Sequence, residues 1–267
     1  LLGPPPPDSD KYSRGVLGVV AGSDRYPGAA QLAVGGALAA GAGMVRYAGV
    51  AGAADRVRAR WPEALVTSIA PGDADAMLEA GQVQAWAIGS GLGTDDDAVR
   101  LVAAALSTEL PVLVDADAIT VVSRYPSLVT GRSAPTLLTP HAGEFARLLH
   151  TERQEVEAHR LERVRRAAAE LGVTVLLKGT TTLVADPEGA VRVNTASTSY
   201  LATAGSGDVL SGVCGALLAG GLGALDAGSA GAFVHGLAGL LASGSPPSPI
   251  TAMQVVDAVP EAIAATR

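Results

Sequence analysis

The chain has 267 residues, of which 48% are hydrophobic, 17% charged and 3% aromatic. This is the composition of a globular protein with a core of Ala, Val and Leu, long enough for one large domain or two small ones. Nineteen Lys and Arg stand against 26 Asp and Glu, a net charge of −7. General nucleic-acid binding, which needs a basic footprint, is therefore not expected, whereas a single small anion held by backbone N–H groups is compatible with the charge.

The first residues run from Leu1 into Pro4 to Pro7 and then Asp8, Ser9 and Asp10. A proline run favours an extended linker. Residues 1–11 are read as that linker and 12–267 as the domain, with further chain expected N-terminal to Leu1. No basic segment precedes an apolar one as in a signal peptide. No window reaches about 18 uninterrupted apolar residues, so no membrane span is expected. Cys214 is the only cysteine and lies in an apolar run. No internal disulfide can form, the thiol reads as buried, and a reducing, cytoplasmic setting fits.

From residue 15 onward, short β-rich runs alternate with helical patterns. The runs 15–22, 64–70, 84–90, 111–117, 136–140 and 173–179 read as strands, and 181–194 as a hairpin turning at 186–189. Helical spacing marks 28–42, 95–106, 143–150 and 154–171, then 208–220, 225–243 and 251–265. Continuous apolar strands between helices predict an α/β fold, a mostly parallel sheet with helices on both faces. Ligands on such sheets bind beyond the carboxyl ends of the strands, so the loops there are the places to look.

AGSDRYPGAA (21–30) follows the first strand, where Gly28 and Ala29 leave room at a helix N-terminus for a ligand or simply for a tight turn. In GSGLGTDDDA (89–98), Gly89, Gly91 and Gly93 fall at every second position, Thr94 or Asp95 suits an N-cap, and Asp95 to Asp97 suit a helix start more than a metal site. Asp115 and Asp117 suit either a turn and a cap or the waters of a Mg²⁺ ion. His141 in TPHAGEFARLL (139–149) suits a cap or a ligand contact. Lys178–Gly179–Thr180–Thr181–Thr182 suits phosphate contacts. There is neither G-x-G-x-x-G nor G-x-x-x-x-G-K-[ST], so a dinucleotide fingerprint and a P-loop are both missing.

TAGSGDVLSG (203–212) is the most informative loop. Gly205, Ser206 and Gly207 let successive N–H groups converge at a helix start, where the dipole adds positive potential. Asp208 follows at once. An acid would repel a resting phosphate. It makes sense as a general base on a substrate hydroxyl, while the converging N–H groups hold the oxygens of a transferring phosphoryl group.

GSDRYPGAA (22–30), IGSGLGTD (88–95), LVDADAI (113–119), LTPHAGE (138–144), KGTTT (178–182) and LATAGSGDVLSG (201–212) occur together in this order. This set resembles the ADP- or ATP-dependent NAD(P)H-hydrate dehydratases, from about residue 12 to the C-terminus. The pairing of TPHAGE with GSGDVLSG is its specific part. The resemblance implies a ribokinase-like fold and repair of hydrated NADH and NADPH. A phosphoryl group goes to the hydroxyl of the damaged ring, and phosphate then leaves. It implies Asp208 as base, Gly205 and Gly207 as anion hole, and Lys178 to Thr182 with Gly207 on the adenine nucleotide. Ala29, Gly91 or Gly93, and His141 would meet the hydrated dinucleotide. Mg²⁺ would accompany ADP or ATP without an all-protein cage. The family also implies a homo-oligomer, often a tetramer, and in many bacteria fusion behind an epimerase domain. The Ala- and Gly-rich stretches 28–43 and 227–242 could pack against a second copy. Two departures stand out: Ala204 where the family often has Gly, tolerable if its methyl points into helix packing, and Ser206 where Thr is common, which keeps the hydroxyl.

Two other readings compete. A ribokinase-like kinase for a vitamin precursor or sugar would share the base but leave a stable phosphorylated product. A non-catalytic nucleotide sensor would need no acid at 208. A Rossmann dehydrogenase is disfavoured by the missing fingerprint.

Overall fold

The computed structural model describes residues 2–267. Among these residues, short apolar runs become nine strands: β1 (Val16–Val20), β2 (Met44–Gly49), β3 (Leu65–Ser68), β4 (Ala85–Ile88), β5 (Val112–Val114), β6 (Thr136–Leu138), β7 (Thr174–Leu177), β8 (Thr182–Ala185) and β9 (Val191–Asn194). They form one sheet in the order β3-β2-β1-β4-β5-β6-β7-β8-β9. All pairs from β3 to β7 are parallel, and β8 and β9 add an antiparallel hairpin. The hairpin turns where expected, with the Gly189 and Ala190 N–H groups bonded to Asp186.

Among the described residues, eleven α-helices connect or cover the strands: α1 (Pro27–Ala39), α2 (Ala51–Arg60), α3 (Ala74–Leu78), α4 (Asp96–Ser107), α5 (Asp117–Arg124), α6 (Ala142–Leu148), α7 (Arg153–Ala158), α8 (Arg160–Leu171), α9 (Ser206–Ala219), α10 (Ala224–Ser243) and α11 (Ala252–Ala264). Side chains alternate across a strand. In β1, Val16 and Val20 accordingly join the core under α3 to α8, while Leu17 and Val19 join the core under α1, α2, α9 and α10. Burial on both faces is why these strands read as continuous apolar runs. A third core lies between α9, α10 and α11.

The segment 44–60, which the hydrophobic pattern did not mark, holds β2 and α2. Arg46 and Tyr47 break the apolar run there, and tertiary bonds accommodate both. Arg46 donates to the carbonyls of Ala80 and Gln82, and the buried Tyr47 hydroxyl to that of Ala21. Short α3 and α5 were also unmarked, and the helical stretch 154–171 is broken at His159 into α7 and α8.

The small residues of α1 and α10 serve packing inside the chain. A Cβ on Gly36 of α1 would overlap the Val209 backbone of α9, one on Gly212 of α9 the Ala33 carbonyl of α1, and one on Gly231 of α10 the Cys214 sulfur. At 20 residues α10 is long and apolar enough to cross a membrane, but more than half of it is buried in this fold, against α9, α11 and the sheet. It is a core helix. Cys214 is fully buried, and burial pushes its thiol far above the usual range.

Candidate active site

The loops at the carboxyl ends of β4, β6 and β7 and the first turns of α9 converge on one buried acid, Asp115, which follows β5. Its Oδ1 accepts from Lys178 Nζ and Thr139 Oγ1, both at 2.8 Å, and its Oδ2 from Ser211 Oγ at 2.5 Å and Ser90 Oγ at 3.3 Å. One carboxylate thus ties together the ends of β4, β6 and β7 and the first turns of α9. Burial alone would raise its carboxyl. The Lys178 charge and the hydrogen bonds outweigh that and hold it below the usual carboxylate range. Lys178, in turn, stays charged: burial would lower it, but Asp115 and then Glu144, 3.8 Å away, raise it.

Asp208 lies in the first turn of α9. Its carboxyl is raised to about 7, first by burial and then by the charge of Asp115, against the Ser90 hydrogen bond and the Lys178 charge. The helix begins at Gly205, whose φ of 87° is the left-handed conformation that favours glycine. No side chain caps α9, unlike α4 and α6; the Ser206 N–H bonds the Thr203 carbonyl, and the Gly207 and Asp208 N–H groups remain available to a ligand. Ser206 Oγ donates to the Leu201 carbonyl at 2.7 Å, and His235 Nε2 bonds the Ser206 carbonyl at 2.8 Å. A carbonyl accepts, so Nε2 carries the proton. Burial lowers the His235 imidazole to about 4 and keeps it neutral. Ala204 is exposed, so its methyl is harmless because it faces solvent, not because it packs among helices.

A cavity of about 700 Å³ opens beside this turn, lined by His141, Lys178 to Thr182, Ser206, Gly207 and His235, with Arg153 and Arg160 on its wall. Pockets of this size take a nucleotide-sized ligand. A guanidinium NH2 of Arg160 donates to the carbonyls of Leu177, Lys178 and Thr181, which fixes the shape of the Lys178–Thr182 loop. A Cβ on Gly207 would sit 3.5 Å from Lys178 Nζ, so the cradle and the lysine face the same space.

Ala29, Gly91 and Gly93 line a different part of the surface. A Cβ on Gly91 would come within 2.9 Å of the Ala29 methyl, so these two are packed neighbours. The Gly93 N–H donates to Asp117 Oδ2 at 2.9 Å, which makes Asp117 a loop anchor at the start of α5. Asp95, not Thr94, caps α4. His141 caps α6: its Nδ1 accepts from the Gly143 and Glu144 N–H groups, and Glu144 returns a bond to the His141 N–H. The His141 ring is nonetheless half exposed at the cavity mouth. Asp208 stands where the two regions meet. Its neighbour Gly207 lines the cavity, and Ser90, within reach of its carboxyl, precedes Gly91.

Ser90, Thr139, Ser211, His235 and Arg160 were not singled out from the sequence. Ser211 had a signal, a hydroxyl in an apolar helix one turn after Asp208, as did His235 in apolar α10. Among the described residues, no three His, Cys, Asp or Glu side chains cluster to hold a metal. The oxygens of Asp115 already accept protein donors, which suits a Mg²⁺ ion that arrives with nucleotide phosphates and keeps much of its water.

The fold class is ribokinase-like. A ribokinase-like superfamily protein from Enterococcus faecalis superposes with a TM-score of 0.86 at 26% identity, covering 98% of this chain and 91% of that one. Within that class, the chain belongs to the NAD(P)H-hydrate dehydratase family, whose sequence model matches residues 17–261. It is 54% identical over 209 residues to the bifunctional NAD(P)H-hydrate repair enzyme Nnr of Mycobacterium tuberculosis, covering 78% of this chain and 42% of that protein. The chain thus spans about two fifths of that bifunctional relative's length. It is 41% identical over 220 residues to the ADP-dependent (S)-NAD(P)H-hydrate dehydratase of Neisseria meningitidis, covering 77% and 70%. The ADP/ATP-dependent NAD(P)H-hydrate dehydratase of Bacillus subtilis, co-crystallised with ATP and Mg²⁺, superposes with a TM-score of 0.88 at 27% identity over 99% and 94% of the two chains. The family and fold expected from the motifs are borne out.

Proposed function

We propose that this chain dehydrates (S)-NAD(P)H hydrate to NAD(P)H with ADP or ATP as phosphoryl donor. The observation that carries the reading is Asp208: a half-shielded carboxyl raised to about 7, at an uncapped helix start, beside Lys178 and a nucleotide-sized cavity. Asp208 takes the proton of the ring hydroxyl as its oxygen attacks the terminal phosphorus of the donor. The O–P bond forms and the bond to AMP or ADP breaks. Phosphate then leaves with the electrons of the C–O bond, a proton is lost from the adjacent ring carbon, and the double bond returns.

In this reading Gly205 and Gly207 offer N–H groups to the phosphoryl oxygens, and Lys178 balances their growing charge. Lys178 to Thr182 and Gly207 hold the nucleotide. Ala29, Gly91 or Gly93, and the His141 ring meet the hydrated dinucleotide. Mg²⁺ would be held by the nucleotide's phosphates and supply further charge neutralisation.

The longer bifunctional relatives support an epimerase domain ahead of the 1–11 linker in the native protein, which the mass of the native chain would test. A cytoplasmic homo-oligomer, a tetramer by family likeness, is the corresponding expectation for light scattering.

The deciding experiment follows the near-ultraviolet absorbance of reduced nicotinamide in a mixture of purified protein, NADPH hydrate and Mg²⁺ with ADP or with ATP. Recovery with one nucleotide and none without supports the reading and names the donor. Nucleotide consumption on some other alcohol, with no recovery, would replace it by the kinase reading.

A further inference from the structure

A second concavity, of about 530 Å³, lies between α5, α6 and the start of α7. Arg124, Arg147 and Arg153 line it, with His150, Thr120 and one acid, Glu152. Among the described residues none of the three guanidiniums has a carboxylate partner. Elsewhere Arg58, Arg100, Arg163, Arg166 and Arg192 each pair with a carboxylate, whereas exposed arginines such as Arg25, Arg56 and Arg165 do not; what sets these three apart is that they share one hollow. In a chain of net charge −7, three unpaired cations in one hollow amount to a local anion field.

The hollow joins the candidate active site at two points. Arg124 donates to the Thr94 carbonyl at 2.7 Å, in the loop that carries Gly91 and Gly93. Gly143, also in its lining, packs against the His141 ring, so that a Cβ there would sit 2.9 Å from Cε1. Arg153 faces both this hollow and the 700 Å³ cavity. From Gly143 to His150 the chain runs roughly 10 Å along helix and helix end, at 1.5 Å per residue. Arg147 and His150 therefore stand toward the end of α6 away from the His141 ring, which suits the far end of an extended substrate rather than its reacting ring. Planar guanidiniums suit a phosphate monoester, which is dianionic and offers three oxygens.

We propose that Arg124, Arg147 and Arg153 form a subsite for a phosphate monoester at the distal end of the dinucleotide substrate, the group that distinguishes hydrated NADPH from hydrated NADH. The assignment rests on the proposed function for its substrate, but its test does not depend on turnover. Calorimetry would compare NADP⁺ and NAD⁺ binding to the wild-type chain and to the double variant Arg124→Gln/Arg147→Gln. NADP⁺ should bind about tenfold tighter than NAD⁺ to wild type, the usual effect of a charge-assisted contact, and the variant should lose that preference. In the repair assay the ratio of KM values for the two hydrates should shift by a similar factor, with the KM for ADP or ATP unmoved.

Equal weakening of both dinucleotides would overturn the proposal in favour of the shared pyrophosphate. A raised nucleotide KM alone would overturn it in favour of the donor's phosphates. An unchanged preference would also overturn it. Loss of NADP⁺ preference in the variant, without hydrate repair by wild type, would leave the subsite standing and remove the proposed reaction. The substituted side chains are exposed, and an unchanged melting temperature would show that the variant is folded.

Discussion

An acid near 7 at the start of a helix is costly to keep, and the cost is measurable. The Asp208 carboxyl is raised to about 7 when folded, against about 3.9 in an unfolded chain. The folded state therefore holds this proton more tightly, and its contribution to stability falls as pH rises from about 4 to 7. Asp208→Asn removes the buried charge. The variant should gain about 1–2 kcal/mol at pH 8, allowing for screening on its open side, while losing about 10²–10⁴ in rate as a missing general base does. Urea midpoints and kcat read the two effects. For the wild type, kcat/KM should rise with pH through about 7, since the base must shed its own proton first. Asp115 behaves in the opposite way, because its partners favour the ionised form. Asp115→Asn leaves the part-buried Lys178 ammonium without its hydrogen-bonded partner, with only the more distant charges of Glu144 and Asp208 nearby, and should cost about 3 kcal/mol. It also removes a like charge next to Asp208, so the rising limb of the pH profile should move to lower pH. A variant as stable as wild type would show that the Asp115–Lys178 pair does not hold the strand ends together.

Among the elements, α9 matters most, because it carries the base, the cradle and Ser211 on successive turns. Its entry depends on Gly205, at a φ of 87°. Gly205→Ala would strain a left-handed residue by about 1–2 kcal/mol, and the new methyl would overlap the Leu32 side chain, which can yield in part. The expected result is a loss of about 2 kcal/mol and a larger fall in kcat than in substrate affinity, since the N–H groups would no longer aim at the transferring group. Equal kcat in the variant would mean that the cradle takes no part in the chemistry. The pattern of this element was legible in the residues: three small residues, then an acid, then an apolar helical period. The network behind it was not, since Ser90, Thr139 and Ser211 are ordinary hydroxyls in sequence and meet only around Asp115.

For the molecule as a whole, two buried groups pull its pH dependence in opposite directions. His235 is lowered to about 4 when folded, against about 6.5 unfolded. Between these values the unfolded chain takes the proton, so this residue lowers stability as pH falls, by up to about 3 kcal/mol. Asp208 raises stability over much of the same window. In Asp208→Asn only the histidine contribution remains, and the loss of stability from pH 6.5 to 4 should be steeper than in the wild type. Parallel curves from urea titrations at each pH would contradict this. The same folded chain should gain about 2.7 kcal/mol from a nucleotide at a hundredfold excess over its Kd, read as a rise in melting temperature.

The alternation of buried strands with helices, the placement of ligand loops at strand ends and the GSGD helix start follow from local pattern. Hydrophobic period and glycine position act over a few residues and need no tertiary partner to be read. The strand β2 escaped that reading because Arg46 and Tyr47 are satisfied by carbonyls more than 20 residues away. His141 could be read equally as cap or contact until its Nδ1 was placed on the α6 N–H groups with its ring left at the cavity mouth. Asp115 and Asp117, acids of the same type two residues apart, became a buried hub and a loop anchor. What separates them is which distant donors reach each carboxylate. That is settled by the order of strands in the sheet and the path of α9 across it, and only the folded chain brings those donors together.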